Sequence, residues 1–272
     1  PYLTEQWGNA SSVYQFGRGV ARHIEEAPAQ VAALIHADPK EVVFTSGGTE
    51  SINSAIHSAL ALSPEKRHVL TTAVEHSATT QYCESLPERG YKVTFLPVHS
   101  DGSLDLGLLE RSIQRDTALV SVMWANNETG VIFPIPEIGA LCRGKQVLFH
   151  TDAVQAAGKL AIDVRSAEVD FLSLSGHKLH APKGIGLLFV SSRARYRPYI
   201  LGGRQENGRR GGTENVPAIV GFGKAAEVAM NDLAGRARRI QAMRDRLEQA
   251  ILGAIPNTCR NGAKEPRLPN TT

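Results

Sequence analysis

Val169–Val190 reads VDFLSLSGHKLHAPKGIGLLFV. The apolar run Phe171-Leu172-Ser173-Leu174 has the character of a buried strand and ends abruptly in Ser175-Gly176-His177-Lys178. A second apolar run, Ile185–Val190, begins too soon for a crossover helix to intervene, so the pair is expected to be antiparallel or locally irregular. A lysine, a serine and two histidines, His177 and His180, therefore occupy a tight turn at the end of a core strand. Strand ends with short loops are where α/β proteins carry their chemistry. An amine held there, partly out of water, is suited to forming a Schiff base. A lone lysine in a turn is more often a solvated surface group, so the reading of Lys178 depends on what the rest of the chain brings to it.

Upstream, strands alternate with helices. Apolar positions from Val20 to Ile35 suit an amphipathic helix interrupted near Pro28, and Glu41–Thr45 is a short strand. Ser46-Gly47-Gly48-Thr49-Glu50 follows and opens a helical run to about Leu62, an arrangement whose free N–H groups favour an anion. His68–Val74 reads as a strand leading into Glu75-His76-Ser77 and a helix from about Ala78 to Glu88. Tyr91–Pro97 is a further strand, and Asp105 caps a helix that begins at Leu106. Ala118–Met123 is strand-like and leads into Trp124-Ala125-Asn126-Asn127-Glu128-Thr129-Gly130. Pro134–Cys142 reads as helix, and Val147–Phe149 as a strand ending in His150-Thr151-Asp152-Ala153-Val154-Gln155. Downstream of Val190 a glycine- and arginine-rich loop, Gly202–Asn215, precedes a long helical region, Pro217 to about Ile255, with a bend expected near Gly235. This alternation predicts an α/β fold with a mostly parallel, doubly wound sheet.

The chain has 272 residues, 42% of them hydrophobic, enough for one large core and part of a second, smaller domain. Thirty basic and 27 acidic side chains leave a formal charge of +3 without a long basic run, which speaks against nucleic acid. Arg204, Arg209 and Arg210 are the one local basic cluster, expected as a solvated loop edge. Cys83, Cys142 and Cys259 are odd in number and widely spaced, indicating neither a disulfide framework nor a zinc site. No stretch approaches the roughly 18–20 apolar residues of a membrane span, so no membrane partner is expected and a cytoplasmic setting is the default. The absence of GxGxxG after the first strand lowers a nicotinamide reading.

In a parallel sheet the carboxyl ends of the strands lie along one crevice. Along it the chain would set an anion cradle (Gly47, Gly48, Thr49), a histidine (His76), an amide pair (Asn126, Asn127), a carboxylate with a nearby amide (Asp152, Gln155), and Ser175, His177 and Lys178. Phosphate donors, an aspartate to keep a pyridine nitrogen protonated and a lysine for the aldehyde are the groups that pyridoxal 5'-phosphate requires. Each residue has a plainer reading: Asp152 as a turn cap, His76 and His150 as structural histidines, His177 and His180 as an incomplete metal site. Lys183 competes with Lys178 but lies farther into the turn.

HTDAVQ (His150–Gln155), SGHKLHAPKG (Ser175–Gly184), SGGTES (Ser46–Ser51), ANNETG (Ala125–Gly130) and RRGGTEN (Arg209–Asn215) together resemble the cysteine desulfurases of the NifS type, in the class V aminotransferase group. The resemblance runs the length of the chain. It implies the aspartate aminotransferase-like fold of PLP-dependent transferases, with residues 1–230 as the PLP-binding large domain and 231–272 as the beginning of an incomplete small domain. It also implies Lys178 as the Schiff-base lysine, Asp152 as partner of the pyridine nitrogen, His76 stacked on the ring and Gln155 on its phenolic oxygen. Gly48, Thr49, Ser175 and His177 would hold the phosphate, Asn127 would face the substrate, and Thr213 would reach the phosphate of a neighbouring subunit in a homodimer.

The activity so implied converts L-cysteine to L-alanine and hands sulfur, as a persulfide, to an iron–sulfur scaffold or another acceptor protein. The family's persulfide cysteine matches none of Cys83, Cys142 or Cys259, so the sequence is expected to be a portion of a longer protein. Selenocysteine lyase, cysteine sulfinate desulfinase and a non-catalytic binding protein of the same fold are the alternatives.

Overall fold

The structure, a computed structural model, describes residues 1–12 and 14–272. Its centre is a seven-stranded sheet: β1 (Val42–Thr45), β2 (His68–Thr72), β3 (Lys92–Leu96), β4 (Thr117–Ser121), β5 (Leu148–Asp152), β6 (Phe171–Ser175) and β7 (Gly186–Val190). The spatial order is β1-β7-β6-β5-β4-β2-β3. The pairs β2–β3, β2–β4, β4–β5 and β5–β6 are parallel, whereas β7 runs antiparallel to both its neighbours, β6 and β1. The short link after Lys178 thus makes the antiparallel pair that the sequence predicts, and β1 returns to the far side of β7.

Among the described residues, eight α-helices pack around the sheet or follow it: α1 (Gln15–Ile24), α2 (Ala27–Leu34), α3 (Gly48–Leu62), α4 (Ser77–Ser85), α5 (Leu106–Ser112), α6 (Ile135–Gly144), α7 (Val216–Met230) and α8 (Leu233–Ala254). Strands covered on both faces do not alternate between buried and exposed positions, and β4 and β6 are buried at every position, their serines and threonine included. Phe149, Phe189 and Phe222 are among the largest fully buried side chains on one face, with Phe171 in the cluster on the other.

Two helical breaks occur a few residues before the positions the sequence suggests. The stretch from Arg18 to Ile35 is two helices, because the chain turns at Glu25–Glu26 and Pro28 sits in the first turn of α2, where its missing N–H costs nothing. The bend expected near Gly235 falls at Asn231–Asp232: Asn231 is extended and Asp232 adopts φ 53°, a left-handed geometry that short polar side chains tolerate. Beyond α8 the tail folds back. Arg244 of α8 donates to the Leu268 and Thr271 carbonyls, and Leu268 N donates to Gly130 O at 2.8 Å.

Candidate active site

A cavity of about 400 Å³ opens at the carboxyl ends of the strands. Its floor is the junction of β1, β7 and β6. Thr45 pairs with Gly186, and Gly186 pairs in turn with Ser175, so the turn after β1 and the turn after β6 are held side by side. A Cβ on Gly186 would lie 2.6 Å from the Gly47 Cα, a separation that real Cβ atoms do not show. Glycine is required here by close backbone approach, not by conformation. A Cβ on Gly48 would meet Val154 Cγ2 at 3.2 Å and Ser175 Cβ at 3.4 Å, so the Gly48 backbone packs closely against these two side chains.

Gly48 and Thr49 open α3, a 15-residue helix whose first-turn N–H groups have no intrahelical acceptors. Ser175 and His177 stand opposite, with Ser175 Oγ 2.9 Å from His177 Nδ1. Burial and the neighbouring Lys178 and Lys183 hold His177 below the ordinary histidine value. Lys178 lies one residue on, in the short 3₁₀ turn Gly176–Leu179, and lines the same cavity; Lys183 does not.

Asp152, the last residue of β5, is buried at the cavity wall, and its Oδ1 accepts the Val154 N–H at 2.9 Å. Burial drives its carboxyl above the ordinary aspartate value, offset in part by that N–H and by His76. Among the described residues it has no salt-bridge partner, so its negative charge is uncompensated within the chain. His76 caps α4 by accepting the Ala78 N–H on Nδ1 at 3.1 Å, so a neutral ring carries its proton on Nε2. Its exposed ring lines the cavity together with Asn127 and Gln155.

Nine of the ten residues singled out from the sequence therefore meet in one cavity. The tenth, Thr213, is exposed and lies in an adjoining depression that shares Ser46 and Gly184 with the cavity rim. His150 is a buried structural group: Ser121 Oγ lies 2.8 Å from its Nδ1 and Ser173 Oγ 2.9 Å from its Nε2, and burial pushes its pKa down to about 3. No group of three or more potential metal ligands occurs among the described residues.

The arginine cluster departs from its expected role as a solvated edge. Arg210 makes a two-point ion pair with Glu50 at 2.9 and 3.1 Å, and Glu50 also accepts the Ser46 N–H. Arg209 donates to the Lys40 and Val42 carbonyls, both at 2.7 Å. Arg210 ties the 202–215 loop to the anion nest and Arg209 ties it to the start of β1, and Arg204 alone stays exposed. Buried carboxylates attract such partners, but nothing in local sequence spacing connects Glu50 with Arg210, 160 positions on.

Glu75 is a further group that local sequence does not single out. It is buried beside His76, with Oε1 accepting Thr72 Oγ1 at 2.7 Å and Met123 N at 3.0 Å and Oε2 unpartnered. Burial, with Asp152 adding to it, pushes its carboxyl up to about 8. Its position directly before His76 was the available signal.

A lysine, an uncompensated buried aspartate and a backbone-lined anion nest within one cavity fit an anionic, cationic-ring cofactor bearing an aldehyde, and define the class of pyridoxal-phosphate-dependent enzymes of this fold. The chain belongs to the aminotransferase class-V family, whose profile matches residues 1–272. It is 53% identical over 272 residues to cysteine desulfurase 2 of Trichormus variabilis, covering all of this chain and 68% of that protein. Among solved structures, a NifS-like protein superposes with a TM-score of 0.94 at 36% identity, over 98% of this chain and 74% of the other. A second, SspA in complex with cysteine, superposes with a TM-score of 0.81 at 38% identity, over 84% of this chain and 66% of the other. Homologues of this family are PLP-dependent.

Proposed function

We propose that the chain binds pyridoxal 5'-phosphate in this cavity and carries the cofactor chemistry of a cysteine desulfurase acting on L-cysteine. The observation that carries the reading is the shared cavity of Lys178 and Asp152, with Asp152 buried and lacking a cation of its own. When bound, the cofactor supplies an electron sink that stabilises negative charge at the substrate Cα.

The residues divide the remaining work. Asp152 keeps the ring nitrogen protonated, because a buried carboxylate is stabilised by a cationic partner. Gly48, Thr49, Ser175 and His177 take the phosphate through N–H and hydroxyl donors. His76 stacks on the ring, Gln155 serves its phenolic oxygen, and Asn127 faces the substrate side. Lys178 is the residue that would hold the aldehyde and, once free, moves protons at the substrate Cα as general base and acid.

Overall, L-cysteine and an acceptor thiol become L-alanine and a persulfide. The Cβ–S bond breaks, an S–S bond forms, and the thiol proton ends on carbon. Cys83 and Cys142 are unsuited as acceptor, since burial pushes both thiols up to about 12 and keeps them protonated. Cys259 is exposed in the tail and lines none of the cavity.

Exposed Trp7, Phe16, Tyr199 and Leu201 support a homodimer in which the Thr213 loop reaches the neighbouring site. The break at Asp232 supports residues 1–230 as the cofactor-binding unit and 231–272 as part of a smaller second unit. No helix among the described residues is long and apolar enough to cross a membrane, and we place the protein in the cytoplasm, serving an iron–sulfur scaffold.

Addition of pyridoxal phosphate to the purified chain tests the reading. A visible absorption band should appear and be lost in Lys178→Ala. Alanine released from L-cysteine with dithiothreitol as acceptor thiol should exceed that from selenocysteine or cysteine sulfinate. An unchanged band in Lys178→Ala would remove Lys178 as the attachment point, and preferential release from either alternative substrate would reassign the activity.

A further inference from the structure

Behind the cavity wall, Lys159 reaches back one helical turn to Gln155. Its Nζ donates to the Gln155 backbone carbonyl at 2.8 Å and to the side-chain Oε1 at 3.0 Å. The residue is half-buried and does not line the cavity itself; with Gln155, His177 and Lys178 it lines an adjoining groove. We propose that Lys159 is a positioning residue that fixes the orientation of the Gln155 amide, so that Gln155 presents its NH₂, and never its carbonyl, to the cavity. The inference rests on the proposed pyridoxal phosphate site.

An ammonium has three donors and no acceptor, so the amide atom facing Lys159 has to be Oε1. The usual ambiguity between amide oxygen and nitrogen is therefore settled by the partner's chemistry. Two bonds from one Nζ to the same residue close a small ring, which fixes the side chain as well as its amide. Among the described residues Nε2 has no protein acceptor, while Gln155 lines the cavity. Left unrestrained, the amide could rotate by half a turn and set a carbonyl against an anionic ring oxygen, exchanging attraction for repulsion.

The electrostatic setting agrees. Burial, followed by repulsion from Lys178, brings Lys159 down to about 8. A cation is retained in this half-buried site at a cost, which its two bonds to Gln155 offset.

The experiment loads the full chain with pyridoxal phosphate and follows the visible band against pH, with apparent cofactor affinity measured in parallel. A donor to the ring oxygen favours its anionic form, so removing the restraint should raise the pH midpoint of the band. Lys159→Met should shift the midpoint upward by about one unit and weaken cofactor binding by about tenfold. Lys159→Arg, which keeps the donors, should restore both. Where Lys159→Met does not fold, Lys159→Ala gives the same readout.

The decisive comparison is made in a Gln155→Ala background. There, loss of Lys159 should produce no further shift, because its effect passes through Gln155. A shift of equal size with and without Gln155 would mean that Lys159 acts only through its charge, and would overturn the inference. An unmoved midpoint in folded Lys159→Met would overturn it too. Absence of any band in the unsubstituted chain would instead overturn the cofactor site itself, so the two failures are distinguishable.

Discussion

Gly186 of β7 and Gly47 after β1 touch backbone to backbone, and this contact sets the floor of the cavity. A methyl group at position 186 would come to 2.6 Å from the Gly47 Cα, with no flexible side chain able to yield. Gly186→Ala should therefore push the anion nest away from Ser175. A loss of about 1–3 kcal/mol in urea unfolding is expected, together with a larger loss of pyridoxal phosphate affinity. Gly144→Ala, where a Cβ meets nothing within 4 Å, serves as the control and should change neither measurement.

Glu50 stands at the first turn of α3, beside the proposed phosphate site, and Arg210 neutralises it. Burial alone would raise its carboxyl, but the Arg210 and Ser46 hydrogen bonds outweigh burial and hold it below the ordinary glutamate value. Arg210→Ala should leave that charge unpaired at a site only 6% exposed, and cost about 2–3 kcal/mol in denaturant unfolding. It should also weaken phosphate binding, because an uncompensated carboxylate then faces the anion. Glu50→Gln/Arg210→Ala should recover part of both losses, and failure of that recovery would show that the pair does not act as a unit.

Glu75 and His150 give the chain opposing pH dependences. The folded His150 sits at about 3, below its unfolded value of about 6.5, so its stabilising contribution is present above pH 6.5 and is lost as pH falls toward 3. The folded Glu75 sits at about 8, above its unfolded value of 4.5, so its contribution is present below pH 4.5 and is lost as pH rises through 8. Between about pH 4.5 and 6.5 the two slopes cancel, each being at most about 1.4 kcal/mol per pH unit. Glu75→Gln should unmask the histidine slope below pH 6.5 and abolish the fall between pH 6.5 and 8. Urea midpoints of the cofactor-free protein across this range measure it, and parallel curves for the two proteins would refute it.

Glu248 of α8 collects Arg267 at 2.7 Å, Thr272 at 2.8 Å and Arg260 at 3.3 Å, which fastens the tail to the helix. The Arg267 bond above all holds its carboxyl down at about 2. Stability from this cluster is present above the ordinary glutamate value and is lost as pH falls from about 4.5 toward 2. Glu248→Gln should loosen the tail without unfolding the sheet. Trypsin cleavage at Arg260 and Arg267 should then accelerate by about tenfold at neutral pH, while the global unfolding midpoint moves little.

The sequence by itself determined most of the strands and helices, and which polar residues stand at the strand ends that line the cavity. Apolar runs of strand length, glycine turns and helix caps act over a few residues, so β6, the Lys178 turn and β7 are legible without any tertiary information. The motifs around Gly48, Asp152 and Lys178 carry the family resemblance in the same local way. What lay outside its reach were relationships between residues far apart in the chain: the return of β1 beside β7, the Glu50–Arg210 pair, and the burial that raises Glu75. The break at Asp232 in place of Gly235 belongs with them, since either residue can interrupt a helix and only packing selects one. Propensity and spacing are properties of neighbours along the chain, whereas close backbone approach, desolvation and charge pairing exist only once distant segments share a volume, and those decided the shape and electrostatics of the cavity.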